Sequence, residues 1–141
     1  MDIWTFHTTL TRRLTWWAWA SIALGALSML LVGDFWRGMA FQFIGWGFVN
    51  LGIAYFGNVN LQRRVSQLNE AQKKAAEPQE TRNLARLLWT NARFDVFYML
   101  GGAAVARFIG PDPFWVGTGI GIFIQGTFLL LLDWLHARTL K

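Results

Sequence analysis

The sequence predicts an all-α fold, a four-transmembrane-helix bundle built from two helical hairpins. Of the 141 residues, 54% are hydrophobic and only 15% are charged, a balance that would leave a soluble domain of this size covered in exposed apolar surface. The charges are also concentrated, because one long polar run, residues 58–86, separates two apolar stretches that are each long enough for a pair of spanning helices. We therefore expect a single integral membrane domain over residues 1–141.

Composition narrows the classes of function. The absence of Cys excludes disulfides, thiolate metal sites and cysteine nucleophiles. The net charge of +5 does not favour nucleic acid, because the basic residues flank apolar spans and do not cover a water-facing surface. The sequence carries no phosphate-binding glycine loop followed by Lys, no HExxH and no GxSxG. We therefore predict no catalytic residue and no metal site, and leave any cofactor open.

The first hairpin follows a short interfacial segment, residues 1–13, that ends in two Arg. Residues 14–33 carry no charge, and at about 1.5 Å per residue they cover the roughly 30 Å hydrocarbon core. A tight turn at Gly33 and Asp34 leads into a second span, residues 36–57, so the two helices are expected to be antiparallel neighbours.

The second hairpin contains spans at residues 87–109 and 114–135. The turn between them ends with Asp112 as N-cap and Pro113 at the first helical position, a favoured place for proline.

The polar run is predicted to be helical, as extensions of helices 2 and 3 into the cytoplasm over residues 58–86. We expect the break between them at residues 76–79, because Pro78 disrupts a helix interior. A solvated helix pair needs an apolar seam to stay ordered. The residues at the right spacing for this seam are Leu61, Val65 and Leu68 on one side, with Leu84 and Leu87 or Leu88 on the other.

The two hairpins carry a weak internal repeat. Each contains a matched pair of glycine spacings, and each first spacing is followed by a turn containing Asp and Phe-Trp. The matches are Gly25 to Gly33 with Gly102 to Gly110, and Gly38 to Gly47 with Gly117 to Gly126. Repeats of two helices each would be parallel and related by a pseudo-twofold axis along the membrane normal.

A few polar residues lie deep within the predicted spans. Asn50, Asp95 and Gln125 lie near the bilayer midplane, where ionisable side chains usually face protein or a water-filled cavity. Helical spacing places Asn91 and Tyr98 on the stripe of Asp95. The predicted ligand-binding residues are Asn50, Asn91, Asp95, Tyr98, Gln125, Asp133 and His136.

Each of these residues also has a structural interpretation. Asn50, Gln125 and Tyr98 are suited to hydrogen bonds between helices. Asp133 lies one turn before His136 and could orient its imidazole, but such a pair is also typical of a solvated helix end. We expect Asp95 to lie within reach of Asn50 or Gln125, and to be uncharged and donate a hydrogen bond unless a cavity brings water or a cation to it.

These residues leave three functions open. The leading hypothesis is a non-enzymatic binding or interaction module, either an accessory subunit of a membrane complex or a holder of a lipid- or quinone-like ligand between the helices. The second is a small transporter or proton-coupled carrier that uses Asp95 with Asn50 and Gln125. The third is an intramembrane enzyme using Asp95, Asp133 and His136. The expected partners are membrane lipids, a membrane-complex protein or a second copy of the chain.

Three strings carry a resemblance to a known family: FWRGMAFQFIGWGFVNLGIAYFG, LLWTNARFDVFYMLGG and IQGTFLLLLDWLHAR. Together they resemble a family of small four-helix bacterial membrane proteins of unknown function, found among green non-sulfur bacteria. The resemblance implies an integral protein of the bacterial cytoplasmic (inner) membrane. It implies no activity, substrate or cofactor.

The distribution of basic residues predicts the orientation. All thirteen Lys and Arg except Arg37 and Arg107 lie on the side of the two termini and the central run, so the positive-inside rule places that side in the cytoplasm. A reporter fused after Lys141 and one inserted near Pro78 should therefore both give cytoplasmic signals. A periplasmic signal from either would contradict the multi-pass topology.

Overall fold

The computed structural model describes residues 2–140, which form an all-α fold without strands. The helices are α1 (Ile3–Ser28), α2 (Asp34–Ser66), α3 (Glu70–Phe108) and α4 (Pro113–Thr139). The Asp2 side chain caps α1, accepting a 2.7 Å hydrogen bond from the backbone N–H of Thr5. Because α1 runs from Ile3 to Ser28, it joins the predicted interfacial segment to the first predicted span, and residues 29–33 of that span form the turn before α2.

The turn between α2 and α3 lies at residues 67–69, so the predicted break at residues 76–79 is wrong. Asn69 and Gln72 form a capping box, in which each side chain accepts a hydrogen bond from the other residue's backbone N–H, at 2.9 and 3.0 Å. Pro78 lies inside α3. Its ring removes one backbone hydrogen bond, a loss that the remaining turns of this long helix tolerate.

The helices pair as two hairpins. α1 packs along α2, α3 packs along α4, and the hairpins meet mainly through α2 against α4. α1 and α3 make few contacts with each other. The central pair α2 and α4 therefore holds the bundle together, with α1 and α3 on its flanks.

Two glycines allow α2 and α4 to cross closely. A Cβ at Gly38 would overlap the carbonyl oxygen of Phe114, and a Cβ at Gly117 would overlap the carbonyl oxygen of Phe35. Backbone carbonyls cannot rotate away as side chains do, so these positions accept only glycine at this separation. The contact is reciprocal, since Phe35 and Phe114 occupy equivalent places in the two hairpins.

Contacts within the hairpins follow the internal repeat. In the first hairpin, Gly25 lies against Ala40 of α2, and in the second, Gly102 lies against Gly119 of α4. Both turn glycines have positive φ, 119° at Gly33 and 132° at Gly110, a conformation that glycine adopts without strain. Equivalent positions thus make equivalent contacts, as expected of two hairpins related by a pseudo-twofold axis.

The polar extensions are held together differently from the predicted seam. Leu84 and Leu88 of α3 are buried against Ile3 and Phe6 of α1 and Ala137 of α4. The first turns of α1 thus supply the apolar surface that Leu61, Val65 and Leu68 were expected to give. Leu61 is buried but lies outside this cluster. Arg64 and Glu80 join α2 to α3 through a 2.8 Å ion pair.

Large apolar side chains are exposed on all four helices. They include Trp16, Trp19 and Leu27 on α1, Phe41, Phe48 and Phe56 on α2, Phe94, Phe97 and Phe108 on α3, and Trp115, Leu131 and Leu135 on α4. By length and composition, α2 and α4 are the helices within residues 2–140 that could cross a membrane. Core helices of soluble proteins meet the same test, so the four spans and the orientation of the termini stay predictions.

The close crossing of α2 and α4 predicts opposite effects of one substitution at two glycines. Gly117→Ala should destabilise the protein by about 1–3 kcal/mol, because the new methyl group meets the backbone of Phe35. Gly45→Ala is the matched control, since a Cβ there meets no atom within 4 Å and alanine favours the helix by roughly 0.5–1 kcal/mol. Thermal unfolding in a mild nonionic detergent measures both. Equal melting temperatures for the two variants would contradict the packing described here.

Candidate functional site

A cavity of about 310 Å³ lies between the two hairpins and is lined by all four helices. It occupies the half of the bundle that contains the start of α1 and the end of α4. Its walls are mostly leucine, contributed by Leu10, Leu14, Leu84, Leu87, Leu88, Leu129 and Leu132. The polar side chains that line it are His7, Thr11, Asn50, Asn91, Asp95 and Asp133. An apolar chamber with a few polar groups is the usual form of a small-molecule site.

Asn50 is the most deeply buried polar group of this cavity. Its residue surface is 1% exposed, yet neither its Nδ2 nor its Oδ1 has a hydrogen-bond partner within residues 2–140. Leaving a buried amide unpaired costs roughly 1–3 kcal/mol. The side chain therefore has an unpaired amide NH2, with two N–H donors, and an unpaired carbonyl oxygen.

Two carboxylates face the same cavity from neighbouring helices. One oxygen of Asp95, Oδ2, is buried and lacks a hydrogen-bond partner within residues 2–140. Asp133 on α4 is buried, lies beside Asn91 and is close enough to Asp95 to feel its charge. The expected hydrogen bond from Asp95 to Asn50 or Gln125 is not formed.

His7 lines the cavity at the start of α1 and is not among the predicted ligand-binding residues. Burial lowers the pKa of its imidazole, and the nearby positive charge of Arg64 lowers this pKa further, while Glu80 opposes the shift. Its surroundings therefore favour the uncharged form of His7. The signal that points to it is the helical spacing of His7, Leu10, Thr11 and Leu14 along one face of α1.

Tyr98 supports the cavity without lining it. Its ring packs edge-to-face on Trp46, with ring centroids 4.7 Å apart, and it is Trp46 that faces the cavity. Tyr98 thus fixes an aromatic wall, one turn of α2 before Asn50.

Gln125 does not line the cavity and instead forms hydrogen bonds between helices. It is fully buried between α4 and α1, where its Oε1 accepts a 2.9 Å hydrogen bond from Trp17 Nε1 and its Nε2 donates a 3.0 Å hydrogen bond to Ser21. This is the interhelical hydrogen bonding that was the alternative interpretation of this residue.

His136 lies outside the cavity and does not contact Asp133 through a hydrogen bond. Its Nδ1 lies 2.6 Å from the carbonyl oxygen of Leu132, and its Nε2 lies 2.8 Å from Nη1 of Arg13. Since the carbonyl only accepts and the guanidinium only donates, Nδ1 donates and Nε2 accepts. Both ring nitrogens of His136 are therefore engaged in hydrogen bonds, and the one with Arg13 joins α4 to α1.

The structure thus divides the predicted ligand-binding residues. Asn50, Asn91, Asp95 and Asp133 line one cavity, with Tyr98 behind its wall. The other two predicted residues, Gln125 and His136, bind α1 at separate places. Within residues 2–140, no group of three or more His, Cys, Asp or Glu side chains is placed to hold a metal ion.

The fold and the cavity define a small all-α protein in which a largely apolar cavity with six polar side chains lies between two similar hairpins. Residues 13–134 match the model of a family of unknown function, DUF6992, and the chain belongs to that family. The match includes every predicted ligand-binding residue except His136. No curated protein and no solved structure matches the chain. The bacterial origin that the resemblance implied stays a prediction.

The hydrogen bonds of Gln125 predict that its side chain stabilises the bundle. Gln125→Leu leaves the indole N–H of Trp17 and the hydroxyl of Ser21 without this partner, and an unpaired buried polar group costs roughly 1–3 kcal/mol. We expect a lower melting temperature in detergent. An unchanged melting temperature would show that the hydrogen bonds from Gln125 contribute little.

Proposed function

We propose that this protein is a four-span protein of the bacterial cytoplasmic membrane that binds an amphiphilic ligand between its two hairpins, without catalysing a reaction. The unpaired amide of Asn50 is the observation that supports this proposal. An amide 1% exposed, with no partner for either polar atom within residues 2–140, faces a chamber large enough for a small molecule. A polar group in such a place costs stability, and a ligand that bonds to it would offset that cost.

The exposed side chains support a membrane location. Large aromatic residues such as Phe48, Phe97 and Phe108 are more than half exposed, and soluble monomers rarely expose contiguous apolar patches of large size. α3 carries Arg93, Asp95 and Arg107 within its apolar stretch, which lowers its hydropathy. Asp95 faces the cavity and not the outer surface, as an ionisable residue of a spanning helix usually does.

The lining of the cavity favours an amphiphilic ligand. Its leucine side chains suit an acyl or isoprenoid chain, and polar side chains reach it from all four helices. Its volume of about 310 Å³ is at the lower end of the roughly 300–1,000 Å³ typical of ligand pockets. A lipid- or quinone-like molecule that inserts its head and the adjoining part of its chain fits this space.

A second candidate is a proton-coupled carrier. The observation that favours it is the presence of Asp95 and Asp133 on one cavity, since paired carboxylates in a membrane bundle often carry protons or cations. Gln125 would take no part, because its amide is engaged with α1. An enzyme using Asp95, Asp133 and His136 is not favoured, since His136 lies outside the cavity.

The proposal predicts opposite stability changes for two similar substitutions. Asn50→Leu should raise the melting temperature of the delipidated protein, because it removes an unpaired buried amide that costs roughly 1–3 kcal/mol. Gln125→Leu, the matched control, should lower it. Asn50→Leu should also lose the small molecules that native mass spectrometry detects on the wild-type protein in mild detergent. If Asn50→Leu is destabilised and keeps those molecules, Asn50 is structural and the proposal is wrong.

A further inference from the structure

The cavity has negative groups but no opposing positive charge on its walls. Its titratable side chains are His7 from α1, Asp95 from α3 and Asp133 from α4, and α2 contributes none. No Lys or Arg lines it within residues 2–140. Burial and the nearby Arg64 lower the pKa of His7, while Glu80 opposes the shift, so the environment favours the uncharged imidazole. The walls therefore supply no cation, and a positively charged ligand would be the partner for ionised Asp95 and Asp133.

The apolar walls make an unpaired charge in this cavity costly. Buried charges in proteins are normally paired, because an isolated ion in a medium of low dielectric constant is costly. The Coulomb attraction between a cation and the ionised side chains of Asp95 and Asp133 is stronger among leucine side chains than in water. A phosphate or carboxylate head would be repelled, and a quinone carbonyl offers no hydrogen to a carboxylate.

The acceptor oxygens of the cavity suit an ammonium ion. A primary ammonium has three N–H donors, and five side chains on the walls carry acceptor oxygens: Thr11, Asn50, Asn91, Asp95 and Asp133. Oδ1 of Asn50 and Oδ2 of Asp95 are buried and lack a hydrogen-bond partner within residues 2–140. Trp46 adds an aromatic ring held in place by Tyr98. Aromatic rings attract cations through the negative charge of their faces.

We infer that the cavity takes a long-chain primary amine in its protonated form, with the ammonium at Asn50, Asp95 and Asp133 and the alkyl chain along the leucine walls. This inference rests on the proposed function and specifies the head of its ligand. The unpaired, deeply buried Asn50 is the feature that distinguishes this cavity from an ordinary cluster of acidic residues.

Dodecylamine is the probe, titrated into the purified full-length protein in a nonionic maltoside detergent at pH 7. We expect saturable binding at one site by isothermal titration calorimetry, and a rise in melting temperature. Dodecanoate should not bind. Dodecyltrimethylammonium, which has the charge but no N–H, should bind at least tenfold more weakly than dodecylamine. Dodecanol, which has the chain without the charge, should also bind at least tenfold more weakly.

Three variants locate the site. Asp95→Asn and Asp133→Asn keep the size of each side chain and should each raise the Kd for dodecylamine at least tenfold. Asp34→Asn is the matched control, because it removes the same charge from an exposed residue paired with Arg37 at the start of α2, and its Kd should equal that of the wild type. Each variant is accepted only if its unfolding transition stays cooperative.

The outcomes separate the inference from the function on which it rests. Equal Kd values for wild type, Asp95→Asn and Asp133→Asn would overturn the ammonium site, since dodecylamine would then be binding elsewhere. Binding of dodecanol as tight as that of dodecylamine would overturn the amine but support a ligand-binding cavity. Failure of every probe to bind, together with a wild-type protein that carries no small molecule, would overturn both.

Discussion

The backbone-to-backbone contact of α2 with α4 is the constraint on which the rest of the structure depends. At Gly38 and Gly117 each helix approaches a carbonyl of the other, and no side chain separates them. α2 and α4 begin at this contact and run in the same direction. The cavity lies between their later turns, with the flanking helices α1 and α3 completing its walls. Close contact at one end and a chamber at the other therefore come from the same pair of helices.

Much of the fold follows from local rules in the sequence. The four helices, their order and the turns at Gly33 and Gly110 are predictable, because positive-φ glycine and the cap at Asp112 act within a few residues of the chain. The turn before α3 lies at residues 67–69 and not near Pro78. Proline removes one hydrogen bond, whereas the capping box of Asn69 and Gln72 satisfies two backbone groups and sets the helix start.

The candidate site was only partly predictable, for a physical reason. Depth and helical spacing place Asn50, Asp95 and Asp133 on inward-facing stripes, and they do line one cavity. The same rules select Gln125 and His136, whose partners Trp17 and Arg13 are distant in the chain. Periodicity within one helix gives the face of a residue but not the helix that this face meets. That choice depends on the rotation of each helix, which the glycine contacts set.

The internal symmetry has a consequence for how a molecule would lie in the chamber. Each of the six polar residues that line it has an apolar residue at the equivalent position of the other hairpin. The equivalent pairs are His7 with Leu84, Thr11 with Leu88, Asn91 with Leu14, Asp95 with Ala18, Asn50 with Leu129, and Asp133 with Ala54. Two hairpins of identical sequence would bind a molecule on the axis in two orientations of equal energy. The chemical difference between the two hairpins makes these orientations unequal, so a bound molecule has one preferred orientation.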